Sequence, residues 1–399
     1  VRLLFLSQEL PPETAWGGIG TYAGIITPAL ARRGIEVHAL SVVAGQERRD
    51  EVRDGVHVHR APLRRPRGVG RALRLPEAWD RVSRAAAVAR EARRLGVEFD
   101  VCESPEWGAE GLAIALRGRL PLVVRLHSGA AQVLPHLGPL GIDERLAIRA
   151  EEALVRRADV VTGPRPIVTE VSAKLGIETE RVRPINYPVP SPGPAVAEED
   201  GARVLFAGRL EPRKGPDVLI RAVPGVLERV PHARFVLVGA DAGAPGGGSF
   251  RSRLENLARE LGVEDAVEMP GPVAGPEQVT AELARSAVCA MPSRWESMGY
   301  VAAEAAAAGR PVVASRIPAL EEIVEDSATG RLVPPGDAGA LADAIAEVLL
   351  LDPGRRAEMG RAGARLVASR CDPERVADET IAAYELALSL RAARRRPRQ

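Results

Sequence analysis

Met291-Pro292-Ser293-Arg294-Trp295-Glu296-Ser297-Met298-Gly299-Tyr300-Val301-Ala302-Ala303-Glu304 is the stretch around which the rest of the chain falls into order. The apolar run Ala287 to Met291 reads as a buried strand, Ser293 to Ser297 as a polar loop, and the Ala-rich segment from about Met298 as a helix. Arg310-Pro311-Val312-Val313-Ala314 then reads as the next strand. Such a helix leaves its first backbone N–H groups, expected at Ser297, Met298, Gly299 and Tyr300, without intrahelical partners, and these attract phosphate or hydroxyl oxygens. Glu296 and Glu304 are separated by seven residues, which puts one carboxylate in the loop and the other about two turns along. Each carboxylate can accept hydrogen bonds from two adjacent sugar hydroxyls.

Upstream, Arg203 to Phe206 reads as a strand, Gly208-Arg209-Leu210-Glu211-Pro212-Arg213-Lys214-Gly215 as a loop, and Pro216 as a helix start. Strand Arg234 to Val238, a Gly-rich loop over 239–249 and further helix–strand alternation complete a doubly wound parallel sheet. Arg209 and Lys214 therefore lie on the same sheet edge as Glu296 and Glu304. Together they can neutralise a diphosphate, the arginine as a planar fork of donors and the lysine as a mobile point charge. Lys214 stands out because the only other lysine is Lys174.

The N-terminal half repeats the pattern. Residues 2–7 read as a strand, Gln8 to Gly18 as a loop, Ile19 to Arg33 as a helix closed by Gly34, and Glu36 to Val43 as a strand. Gly18-Ile19-Gly20-Thr21-Tyr22-Ala23 matches the dinucleotide pattern GxGxxA, but the loop is too long for its tight turn and the second strand ends without a carboxylate for a ribose. Gly17 and Gly18 remain suited to close approach of a phosphate or sugar to the backbone. Asp54-Gly55 signals a hairpin, with His57 and His59 alternating onto one strand face, either exposed or a metal pair lacking a third ligand. His127 falls at a strand's carboxyl end, as a core or capping residue or as a ligand-facing imidazole. Prolines 188, 190, 192 and 194 followed by Glu198-Glu199-Asp200 read as a linker. The expected division is 1–190, a linker over 191–200, and 201–372, with the last helix, roughly 373–395, returning to the first domain.

A chain of 399 residues is expected to form about two domains. Hydrophobic content of 46% and charged content of 27% are those of an ordinary globular protein. No apolar run approaches a membrane span, so a cytoplasmic location is expected. A net charge of +1 argues against nucleic-acid binding. The Arg-rich segments 60–74 and 391–398 are either solvated surface or a peripheral contact with an acidic acceptor or anionic membrane. Cys102, Cys289 and Cys371 are distant and odd in number, forming neither a disulfide framework nor a metal site. No Asp-X-Asp, G-x-S-x-G, P-loop or zinc motif occurs. Protein cations and helix dipoles must then stabilise any leaving phosphate.

The Glu-X7-Glu segment, the Phe206–Gly215 loop, Glu322-Ile323-Val324 and Thr329-Gly330-Arg331-Leu332-Val333-Pro334-Pro335-Gly336-Asp337 together resemble retaining glycosyltransferases of family 4. The resemblance covers the second half nearly end to end. It implies an α/β GT-B fold, two Rossmann-like doubly wound domains facing a central cleft. It also implies transfer of a hexosyl group from a nucleoside diphosphate sugar to a small-molecule, glycan or lipid-linked hydroxyl, with retention and with neither metal nor other cofactor. By position, Arg209 and Lys214 would hold the diphosphate and Glu304 the ribose. Glu296 with the 297–300 amides would hold the donor sugar, Gly18 would approach the phosphate, and His127 would contact the sugar near its 6-hydroxyl. Ser297 and the 239–249 loop look more like UDP-sugar users. The family's usual Gly-Phe-Gly after the first glutamate is Ser297-Met298-Gly299 here. The alternatives are a UDP-sugar epimerase on the same fold, and a non-catalytic sugar-nucleotide-binding protein. The former would lack the paired Glu-X7-Glu and Arg-Lys loop, and the latter is expected to have lost one of those four charges.

Overall fold

The computed structural model describes residues 1–12, 17–64, 72–190, 200–273 and 275–395. Nearly all of the expected linker lies outside these residues, as do 65–71 of the first Arg-rich segment and 396–399 of the tail. Packing gathers the chain into two units. One is Val1–Pro188 apart from 136–138, together with the helix Pro373–Arg395; the other is Val189–Asp372 with 136–138.

The first unit is an eight-stranded sheet built from β1 (Arg2–Leu6), β2 (Glu36–Val43), β3 (Arg49–Arg53), β4 (Val56–Pro62), β5 (Val101–Pro105), β6 (Leu122–Arg125), β7 (Val160–Gly163) and β8 (Val182–Pro184), in the order β3-β4-β2-β1-β5-β6-β7-β8. All neighbours are parallel except β3 and β4, which the Asp54-Gly55 turn folds back antiparallel, both residues at positive φ. The second unit has β9 (Asp200–Ala207), β10 (Arg234–Val238), β11 (Val267–Gly271), β12 (Ser286–Met291), β13 (Val312–Ser315) and β14 (Gly330–Val333), in the order β11-β10-β9-β12-β13-β14, all parallel. Every residue of β12 is buried, as expected of a parallel strand covered on both faces.

In each sheet the chain moves outward from a central strand and then returns to that strand's other side. The reversal lies between β1 and β5 in one unit and between β9 and β12 in the other. Such switch points open a crevice beyond the carboxyl ends of the strands, where ligands bind. The loop carrying Arg209 and Lys214 leaves β9, and the loop carrying Glu296 leaves β12. Gly17 and Gly18 follow β1.

Two expectations change in detail. The helix after β12 runs Tyr300–Ala307, two residues later than the apolar pattern implies. Gly299 precedes it at φ 82, and a Cβ there would stand 2.5 Å from Leu320 Cδ2. The backbone turns left-handed at that point, which only glycine does without strain. The His57–His59 face is half-buried rather than exposed, and β2 adds a third imidazole. His38 Nδ1 lies 3.0 Å from His59 Nε2, while Glu36 and Asp50 bond the outer nitrogens of the pair at 3.1 and 2.7 Å. Among the described residues no three His, Cys, Asp or Glu side chains converge on a metal position. None of the described helices is long and apolar enough to cross a membrane. All three cysteines are free and buried.

The helix Pro373–Arg395 is joined to the first unit by specific contacts. Tyr384 Oη donates to Glu103 Oε2 at 2.5 Å, and Arg391 and Arg394 reach Asp159 Oδ1 at 3.4 and 3.2 Å. Arg33 binds both Glu374 and Asp378.

Candidate functional site

In the second unit two loops are stitched together. Gly215, at φ 70, passes so close to the next loop that a Cβ would lie 2.1 Å from the Pro292 carbonyl oxygen. Arg294 N–H donates to Arg213 C=O at 2.8 Å, and the Arg294 guanidinium grips Asp217 with both arms at 2.9 and 2.7 Å. This planar fork-to-carboxylate geometry is the strongest form of ion pair available to the loops. It fixes how far Lys214 stands from Glu296.

The Lys214 ammonium donates to both Glu296 oxygens, at 2.6 and 2.9 Å, and Ser293 Oγ donates to Oε1 at 2.8 Å. Arg213 Nη1 lies 3.7 Å from Oε2. Burial alone would raise the Glu296 carboxyl, but the Lys214 and Arg213 charges and the two hydrogen-bond donors outweigh it and hold the group below the usual carboxylate range. Burial draws the Lys214 ammonium below the ordinary lysine value, with Glu296 acting the other way. Sequence reasoning gives Lys214 to phosphate and Glu296 to sugar; in the structure the two groups bind each other. Arg209 is exposed, 3.5 Å from the buried Glu211 carboxylate, and its guanidinium faces solvent where an anion can reach it.

Glu304 has the opposite electrostatics. It is half-buried in the first turns of its helix, and among the described residues no hydrogen bond or ion pair reaches its carboxyl. Burial pushes it up to about 7. One carboxylate is thus held charged by neighbouring cations and the other is raised by burial alone. Met298 is buried at 2% exposure, so its side chain serves the core, while Ser297 and Tyr300 are half-buried. The helix closes its first turn with Ala303 N–H on Gly299 C=O at 3.1 Å.

In the first unit the helix Gly18–Arg32 starts at the first glycine of the GxGxxA pattern, which leaves no glycine-rich turn ahead of it for a dinucleotide. Gly20 N–H, in the opening turn, donates to the Glu9 carboxylate at 2.9 Å. A Cβ on Gly17 would meet that carboxylate at 2.5 Å, whereas one on Gly18 would meet nothing within 4 Å, so Gly18 has the open face. His127 is buried, its ring stacked on Tyr187 at 5.2 Å and edge-on to Tyr22 at 5.2 Å. Burial, followed by the Arg125 charge, pulls the ring well below the ordinary histidine value, so it is neutral. Its amide donates to both Glu106 oxygens at 2.8 Å. Arg125 lies over the Tyr22 and Tyr187 rings at 4.6 and 5.2 Å, and Tyr22 Oη donates to Glu103 at 2.8 Å.

The sequence reading missed Arg213, Glu211 and Ser293 in one unit, and Tyr22, Glu103, Arg125 and Tyr187 in the other. Glu103 and Arg125 carried a usable signal. Each interrupts an otherwise apolar parallel strand, and a charge buried there must have partners.

Family models match nearly the whole chain. Residues 17–188 match the glycosyl transferase 4-like domain and 193–366 the glycosyl transferases group 1. The D-inositol 3-phosphate glycosyltransferase of Kribbella flavida is 33% identical over 94% of this chain and 92% of its own length. That of Xylanimonas cellulosilytica is 32% identical over 95% and 94%. Among solved structures, sucrose-phosphate synthase from Thermosynechococcus elongatus superposes with TM-score 0.77 at 24% identity, covering 98% and 99% of the two chains. Anabaena HepE, solved with UDP and glucose, superposes with TM-score 0.69 at 22% identity, covering 96% and 99%.

Proposed function

Because this chain belongs to the family 4 glycosyltransferases of GT-B fold, we propose that it moves a hexosyl group from a UDP-sugar to a hydroxyl acceptor, with retention and without a metal. The observation that carries this reading is the pairing of the β9 and β12 loops. The β9 loop carries an exposed guanidinium and an ammonium, and the ammonium is bonded to a carboxylate of the β12 loop. Arg209 and Lys214 take the diphosphate, whose charge draws the ammonium from Glu296. Glu304 accepts the ribose hydroxyls. Glu296, with the 297–300 amides, orients the donor sugar. The acceptor oxygen bonds to the anomeric carbon as the bond to the diphosphate breaks, and the departing phosphate oxygen takes the acceptor's proton on the same face. Protein cations and amides supply the charge stabilisation that a metal would otherwise provide.

The relatives' name makes D-inositol 3-phosphate the first acceptor to try. The donor reading is tested by calorimetric titration with UDP, GDP and ADP. UDP is expected to bind tightest, by about tenfold or about 1.4 kcal/mol. Equal or tighter binding of GDP or ADP overturns the UDP assignment.

A further inference from the structure

Arg213 is buried at 3% exposure and built in from three sides. Its Nη2 binds Glu211, its Nη1 donates to the Trp295 carbonyl at 3.2 Å, and its guanidinium lies 5.7 Å from the Trp295 ring centre. Its own carbonyl accepts Arg294 N–H. Glu211 is itself 1% exposed. This guanidinium cannot follow a ligand. Lys214 differs in kind, because a single ammonium on a four-carbon stem exchanges partners readily.

Both cations serve one carboxylate, and the two loops keep that carboxylate buried. When Lys214 turns to an anion, Glu296 retains only Ser293 Oγ at 2.8 Å and the Arg213 guanidinium at 3.7 Å. A buried carboxylate stripped of its charge partner takes up a proton. A protonated Glu296 would lose half of its capacity to accept sugar hydroxyls. We propose that Arg213 is a positioning residue, the fixed counter-ion that keeps Glu296 charged while Lys214 is engaged on the donor diphosphate. The inference rests on the reading of Lys214 as a diphosphate ligand. It assigns a division of labour within the loop, one stationary cation and one mobile cation on a shared carboxylate.

The titratable and charged groups around Glu296 are Lys214 and Arg213, with Glu211 and Arg209 behind Arg213. His136 also lies within the field of Arg213, Glu211 and Arg294. The test must therefore separate Glu296 from His136. Trp295 fluorescence is followed against pH, and the Glu296 transition is defined as the one that Glu296→Gln removes. It is compared in the full chain carrying Lys214→Met and in the double variant Lys214→Met with Arg213→Met. Lys214→Met imitates the departure of the ammonium and needs no ligand. The expected result is a midpoint that rises by about 1–3 pH units from the single to the double variant; identical midpoints overturn the proposal.

Should circular dichroism show the double variant unfolded, Arg213→Gln and the wild type are titrated with and without saturating inorganic pyrophosphate. The upward shift caused by pyrophosphate is then larger in Arg213→Gln, and equal shifts overturn the proposal. A wild type that ignores pyrophosphate overturns the diphosphate role of Lys214, and with it the proposal that rests on that role.

Discussion

The carboxyl edges of the two sheets use charge in opposite ways. Beyond β9 and β12, cations and carboxylates meet in loops, and one of them, Arg209, faces solvent. Within β5 and at the end of β6, Glu103, Arg125 and the following His127 are closed in by Tyr22, Tyr187 and Tyr384, and the imidazole is neutral. The first arrangement can exchange an internal ion pair for a ligand anion. The second holds its charges apart, Glu103 on the Tyr22 and Tyr384 hydroxyls and Arg125 on the Asn186 carbonyl beneath aromatic rings, and so fixes shape. On the proposed reading, anion capture and rigid positioning are divided between two sheets of similar topology.

The largest effect that would break this contrast is in the loop site. Lys214→Ala should weaken nucleoside diphosphate binding by about 10–100-fold, the loss of one charge-assisted contact of about 1.5–3 kcal/mol; unchanged affinity by calorimetry removes the loop's claim to the phosphate. Next comes the buried cluster, where Tyr384→Phe takes a hydrogen bond from the buried Glu103 carboxylate. That change should cost about 1–3 kcal/mol in denaturant unfolding and leave nucleotide affinity intact. A loss of affinity there would show that the cluster is not purely structural. The smallest effect sharpens the difference between Glu296 in the loop and Glu304 on the helix that follows it. Glu304 is raised to about 7, so it is protonated below that pH and ionised above it. The ionised form is the better acceptor of ribose hydroxyls. UDP affinity should therefore rise several-fold from about pH 6 to 8, and Glu304→Gln should flatten that slope.

Much of this was legible beforehand. Strand β2 falls on the residues that its apolar run marks, and Asp54-Gly55 turns the chain where its preference for positive φ says it should. Lys214 and Glu296 meet because they stand on loops at the carboxyl ends of strands flanking a switch point. What escaped was partner choice. Periodicity says which edge a residue occupies, but not that Lys214 and Glu296, 82 positions apart, bond each other. The helix after β12 begins late because the backbone turns left-handed at Gly299, and the side chain that a Cβ there would meet, Leu320, is distant in sequence. The third imidazole beside His57 and His59 sat on a neighbouring strand, visible only once β2 and β4 are in register.

The return of helix Pro373–Arg395 to the first sheet bears on how the chain is made. Glu103 waits for Tyr384, 281 residues downstream, and Asp159 for Arg391 and Arg394. During synthesis the second unit therefore has all of its sequence before the first is complete. The ribosome must translate past Tyr384 before the N-terminal sheet can give its central carboxylate this partner. The unit translated first is the last to be finished, the reverse of the usual N-to-C order of domain folding.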